Sequence, residues 1–260
     1  MKGDPLVQIL EAAGGYDPSA YGRDIADEYD ALYESIPDTD EAVACLAELA
    51  GDGPVLELGI GTGRLALPLA ERGLEVHGVE ASEEMVTQLT AKPGGDEIPV
   101  EVASFDDYEL DRRFSLIVLA LHTIYGLPTP EHQVRCFTTA ARHLLPGGAL
   151  VIEASLLDVG SFRAGQAVRP RFSSDGRVEL QIHRYDPVSQ RLEWTNVHLY
   201  DGGVRLNSGT NLYASPHEFD LMARIAGLRL RERWGGWSRE PFTVESTRHV
   251  SVYAPSGAIS

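Results

Sequence analysis

The sequence predicts an α/β fold, a mostly parallel sheet with helices on both faces, carrying an inserted antiparallel β-meander. Three observations carry this prediction. First, a short apolar run from Val55 to Leu58 leads through Gly59, Gly61 and Gly63 into a helical pattern over 64–72. Second, residues 114–121 are continuously apolar apart from Ser115, as a central parallel strand covered on both faces requires. Third, strict alternation replaces the helical period between 156 and 213. Segments 178–185, 192–199 and 204–213 alternate there, separated by turn residues at 186–190 and 201–203.

Composition sets the bounds. The chain has 260 residues, 43% of them hydrophobic and 23% charged, which suits one large domain with a sizeable core. The net charge of −17 argues against nucleic acid or an anionic membrane as partner, because phosphate contacts need clustered Lys and Arg. Cys45 and Cys136 are the two cysteines, each in a helical pattern, which points to a reducing cytoplasm and no disulfide framework. The first residues lack a basic, apolar leader, and no run of ~18 apolar residues suggests a membrane span. The eight histidines are scattered without ligand spacing, so no metal is expected.

In order along the chain, residues 5–13 read as a short helix ending at Gly14 and Gly15. Residues 16–37 are rich in tyrosine and acid, and Tyr29 and Tyr33 share one helix face at i and i+4. That face either packs on the core or closes over a ligand. Residues 38–50 form an amphipathic helix capped by Asp38 or Thr39. Pro68 then sits near the start of the next helix and predicts a local kink. A second strand, 75–79, ends at Glu80, whose two oxygens match a vicinal diol. Ser82 caps the helix that follows, and residues 100–103 form a third strand.

The long apolar strand delivers His122 and Tyr125 at its carboxyl end, where open α/β sheets bind ligands. His122 is the candidate general base, with a structural histidine as the alternative. Tyr125 either orients an acceptor or forms a wall. Residues 130–144 are helical, 145–148 form a Pro-Gly turn and 149–154 a fifth strand. In the insertion, Trp194 and His198 are candidate acceptor contacts with Arg163, Arg169, Arg171, His183, Arg184 and Asn196 around them. A one-residue slip inverts the face, so pattern alone leaves the inward side open. Ser215 caps a helix through Ala226, residues 228–234 and 247–253 are strands, and Trp237 lies in the loop between them as a further candidate contact.

The glycine spacing is the sharpest signal. Dinucleotide sites use G-x-G-x-x-G, whereas Glu57, Gly59, Gly61 and Gly63 spell E-x-G-x-G-x-G. With its strand and helix context, this stretch resembles the class I, Rossmann-like S-adenosylmethionine-dependent methyltransferases. The Tyr29–Asp30–x–x–Tyr33 segment, His122 and the insertion look like the sugar-amine N-methyltransferases of bacterial natural-product pathways. The resemblance implies a seven-stranded sheet with an antiparallel last strand, built as one domain. Residues 1–37 would be a lid, 38–155 the cofactor-binding core, 156–213 an antiparallel sheet over the active site, and 214–260 the completion of the core sheet.

The resemblance also implies the site. Glu80 would hold the ribose, with Ala81 beside it, and Met85 would touch adenine or simply pack. Glu57 and Arg64 belong to the cofactor turn, and Leu121 to the strand end beside it. Ser104 stands where relatives carry an aspartate to the adenine amino group, so Ser104 or Asp106 would serve there. Phe105 would pack on the purine or on the core. Tyr21 and Tyr29 would close on the cofactor, and Tyr33 would reach the acceptor. The implied reaction is methyl transfer to an amine or hydroxyl of a small molecule. The alternatives are a non-catalytic binder of the same cofactor and a nicotinamide-dependent oxidoreductase. A homodimer is compatible with this class of protein.

Overall fold

The computed structural model describes residues 16–33, 36, 38–172, 178–200 and 202–257. The helix expected over 5–13 and the side chain of Tyr33 lie outside the described residues. Two short helices, α1 (Ala20–Ile25) and α2 (Tyr29–Tyr33), precede α3 (Thr39–Ala50). Strands β1 (Val55–Leu58), β2 (Val76–Glu80), β3 (Val100–Val102), β4 (Phe114–Leu119) and β5 (Leu144–Ser155) then run parallel. Helices α4 (Ala66–Glu71), α5 (Glu83–Thr90) and α6 (Pro130–Arg142) are threaded between them. A separate antiparallel sheet follows, in the order β6 (Gln166–Phe172), β7 (Val178–Asp186), β8 (Arg191–Tyr200), β9 (Gly203–Leu212). Helix α7 (Pro216–Ile225) leads back to β10 (Leu228–Trp234) and β11 (Arg248–Pro255). The main sheet has the order β10-β11-β5-β4-β1-β2-β3, with β11 antiparallel to both its neighbours. This is the seven-stranded architecture expected, with an antiparallel last strand and an inserted meander.

Alternate residues of the central strands feed two cores. Leu56, Leu58, Ile117 and Leu119 pack with Phe137 and Phe219 from α6 and α7. Val55, Leu116 and Val118 pack on the other side with Leu46 of α3 and Leu69 of α4. Each such buried side chain contributes ~1.5–3 kcal/mol of transfer free energy. Two-sided burial therefore explains why β4 reads as an unbroken apolar run.

Several local expectations change. Helix α4 begins only at Ala66, so Pro68 occupies its first turn, where the missing N–H has no intrahelical partner to lose. No kink is needed. Strand β4 stops at Leu119, because Leu121 and His122 both turn into the left-handed region, with φ of 50° and 56°. The 145–148 turn is absorbed into β5, whose pairing jumps from Phe114–Leu144 to Leu116–Ala149. Strand β6 has no clear alternation in sequence. It carries Pro170, which an edge strand tolerates.

Contacts fix which side of the inserted sheet faces the main domain. Trp194 of β8 meets Tyr21 edge-on at 6.2 Å, and Arg205 of β9 pairs with Glu28. Register puts Gln181, His183, Asn196, His198 and Asn207 on that same inner side. The other side exposes Val168, Ile182, Val204 and Leu206. No described helix is long and apolar enough to cross a membrane.

Candidate active site

The site forms at the carboxyl ends of β1, β2 and β4. Gly59, Gly61 and Gly63 all take positive φ (70°, 55° and 86°), which suits residues without side chains. A Cβ on Gly59 would strike Thr123 at 2.8 Å, and one on Gly63 would strike Leu89 at 2.4 Å. A Cβ on Gly61 would meet nothing within 4 Å. The turn is thus packed on two sides and open above its middle glycine.

Glu80 braces this turn. Its Oε2 accepts the Gly61 N–H at 3.0 Å and its Oε1 accepts the Ser82 N–H at 3.0 Å. Burial pushes its pKa above the ordinary carboxylate value, against the main-chain donors of Ser82, Gly61 and Ala81. Each oxygen makes one well-formed main-chain hydrogen bond, which leaves the carboxylate with acceptor capacity for a ligand hydroxyl. Glu57 lies beneath the turn, 5% exposed. Its carboxylate faces the N–H of Ala66, but Oε2 has no partner. Burial raises its pKa to about 8, opposed by Arg64 and assisted by Glu80. An orphaned buried carboxylate oxygen, a diol-matched carboxylate and an open glycine cradle fit S-adenosylmethionine, which carries an ammonium group and a ribose. Arg64 itself is turned away, donating to Thr39 Oγ1 at 2.9 Å.

The adenine end differs from expectation. Asp106 is 1% exposed and accepts two bonds from Arg135 of α6, at 2.9 and 2.5 Å. Ser104 donates to the same carboxylate. Asp106 is therefore committed to α6 rather than free for adenine. The Tyr16 hydroxyl is pushed up to about 12, chiefly by burial and then by the Asp106 charge, with the Ser104 hydroxyl acting against them. Phe105 packs partly into the core. Met85 is buried against Ile25, Ala26 and Tyr29, and thereby seats the N-terminal helices on α5.

The candidate acceptor end is the left-handed Leu121–His122 corner. The N–H of Leu121 donates to Glu153 Oε2 at 2.9 Å, and that of His122 to the Glu153 carbonyl at 3.1 Å. Glu153 also takes Arg248 at 3.1 Å, and Arg248 reaches Asp38. His122 keeps an accessible side chain. The residue as a whole is exposed, yet burial of the imidazole by the atoms packed around it lowers its pKa below the ordinary imidazole value; Glu153 acts against that and Arg248 with it. Glu153 and Arg248 escaped notice in the sequence. The one available signal was an acid inside the apolar 149–154 run, since a buried charge needs a partner.

Two candidates leave the site. The Tyr125 hydroxyl bonds the carbonyls of Ser155 and Ala214, at 2.9 and 3.1 Å, and the residue is 3% exposed. It ties the strand end to the segment before α7. Tyr125→Phe is expected to lower stability by ~1–2 kcal/mol in urea unfolding while S-adenosylhomocysteine affinity stays at the wild-type level. Trp237 is 2% exposed and packs in the core with Trp234, so it cannot line an acceptor pocket.

Fold and site together define a Rossmann-like methyltransferase. Residues 55–148 match the methyltransferase-domain family model. The CcbJ methyltransferase of Streptomyces caelestis superposes with a TM-score of 0.85 at 37% identity, over 93% of this chain and 100% of that one. The cypemycin N-terminal methyltransferase of a Streptomyces species is 29% identical, over 91% of this chain and 98% of its own. The dTDP-3-amino-3,4,6-trideoxy-alpha-D-glucopyranose N,N-dimethyltransferase of Streptomyces venezuelae is 25% identical, over 83% and 94%. The chain belongs to the S-adenosylmethionine-dependent methyltransferase family and uses that cofactor.

Proposed function

We propose that the protein methylates an amino group of a small natural-product intermediate. The observation that carries this reading is the inner side of the inserted sheet. Trp194, Asn196, His198 and Asn207 lie there, on the side that meets the N-terminal helices through Tyr21 and Glu28. The wall combines an aromatic surface with hydrogen-bonding side chains and the Arg205–Glu28 ion pair at its edge, which suits a polar, ring-bearing amine. The names of the cypemycin and amino-sugar relatives support nitrogen as the acceptor atom.

The bound cofactor supplies a sulfonium methyl already activated for transfer. The chain's own residues have to place the acceptor, exclude water and manage one proton. Positioning contributes most, since well-oriented intramolecular reactions recover up to ~7–11 kcal/mol of the barrier. His122, exposed at the β4 end, takes the proton from an ammonium acceptor or from the methylated product, a contribution of ~10²–10⁴-fold. Residues 16–33 act as a lid, consistent with their contacts to both the donor turn and the inserted sheet.

The test combines binding and turnover. Calorimetry should show S-adenosylmethionine and S-adenosylhomocysteine binding and NAD not binding. Incubation with a panel of amino sugars, peptide amines and matched alcohols should then yield N-methyl products by mass spectrometry. Methylation of the alcohols with none of the amines would overturn the nitrogen assignment.

A further inference from the structure

The N-terminal helices touch the donor turn and the acceptor wall at the same time. On the donor side, Asp30 of α2 accepts the Thr62 hydroxyl at 2.6 Å and pairs with Lys92 at 2.7 Å. Lys92 also donates to the Thr62 carbonyl at 2.8 Å. Thr62 stands between Gly61 and Gly63 and is 1% exposed. Lys92 is one of only two lysines in the chain. One residue of the glycine turn is therefore held through both its side chain and its carbonyl. Asp27 adds a bond from Gln88 at 3.1 Å. On the acceptor side, the same helices present Tyr21 to Trp194 and Glu28 to Arg205.

We propose that Asp30, Thr62 and Lys92 form a latch through which the donor site closes the acceptor site. The latch rests on the reading of the glycine turn as the methyl-donor site. Cofactor seated over Gly61 fixes the Thr62 peptide. The fixed peptide aligns the hydroxyl and carbonyl that Asp30 and Lys92 engage. Docking of α2 then carries α1 onto Trp194 and completes the acceptor wall. Donor binding thus precedes acceptor binding, and the donor is retained while the wall is closed. Asp30, Thr62 and Lys92 are positioning residues, because they act through Thr62 and α2 and none has been placed on the reacting atoms. Burial opposes the Asp30 charge, but Lys92 and Thr62 outweigh it and hold the carboxyl below its ordinary value, so the latch stays charged at neutral pH.

The experiment uses the full chain with S-adenosylhomocysteine as probe. Release is followed by stopped flow, and closure by the emission of Trp194, identified through its loss in Trp194→Phe. Asp30→Ala and Thr62→Val are expected to release the probe about tenfold faster than wild type, a change equivalent to one decade in affinity. Both should lose the probe-induced change in Trp194 emission. Thr62→Ser keeps the hydroxyl and should behave as wild type. Asp30→Asn keeps the Thr62 bond but loses the ion pair, so its release should be intermediate; it carries the test if Asp30→Ala does not fold. Wild-type release and wild-type emission change in the folded Asp30 variants would overturn the latch. Failure of the wild-type chain to bind the probe would instead overturn the donor-site reading on which the latch rests.

Discussion

Glu80→Ala is expected to weaken S-adenosylmethionine binding by about two orders of magnitude, measured by calorimetry at pH 7.5. Both carboxylate oxygens already hold one main-chain N–H, from Gly61 and from Ser82. Those bonds fix the carboxylate plane, so its remaining lone pairs meet a diol without reorganisation. Hydrogen bonds to a charged group contribute ~1.5–3 kcal/mol each. Losing two of them, and the brace on Gly61 with them, exceeds what any single neutral contact in the site supplies. Glu80→Gln keeps one acceptor oxygen and places an amide against a main-chain donor, so it should fall between wild type and alanine. Because burial raises the Glu80 pKa, wild-type affinity should decline with acid at a higher pH than a free carboxyl would dictate. An alanine variant that binds within threefold of wild type would remove Glu80 from the ribose site.

The glycine turn and the strand that ends at Glu80 were legible because their signals are local. Strand, three glycines and helix lie within twenty residues, and Glu80 closes the next strand. The parts that misread depend on distant partners. Asp106 looks available in sequence; Arg135, 29 positions later on another element, takes it. Tyr125 looks like a catalytic neighbour of His122, yet two carbonyls from remote segments bind its hydroxyl. Trp237 sits in a loop, where exposure is the ordinary expectation, but the loop folds it under β10 and β11 into the core. Alternation announced the inserted strands without choosing their inner side. Two contacts, Tyr21 on Trp194 and Glu28 with Arg205, make that choice for every residue of the sheet. The left-handed corner at Leu121–His122 has no sequence signature either, since neither residue is glycine.

Glu57→Gln is expected to stabilise the cofactor-free protein at pH 8 by on the order of 4 kcal/mol. The native carboxyl is buried, with Oε2 unpartnered, and its pKa is raised from 4.5 to about 8. In the unfolded chain it ionises near its ordinary value. Below pH 4.5 both states are protonated, and the residue exerts no charge penalty. As pH rises from 4.5 to about 8, the unfolded state sheds a proton that the native state retains. Stability then falls by up to ~1.4 kcal/mol per pH unit across that window. Glutamine has no such proton, so the variant's profile should lack this slope. Other groups, including His122 and His249, titrate alike in the two proteins and cancel in the difference. Urea unfolding at pH 5, 6.5 and 8 measures the gap, which should be smallest at pH 5 and widest at pH 8. Bound S-adenosylhomocysteine should narrow it, because an ammonium set against Oε2 favours the ionised carboxylate that glutamine cannot supply. A wild-type profile parallel to that of the variant would show that Glu57 ionises in the native state as readily as in the unfolded chain. Its orphaned oxygen would then no longer mark the ammonium end of the donor site.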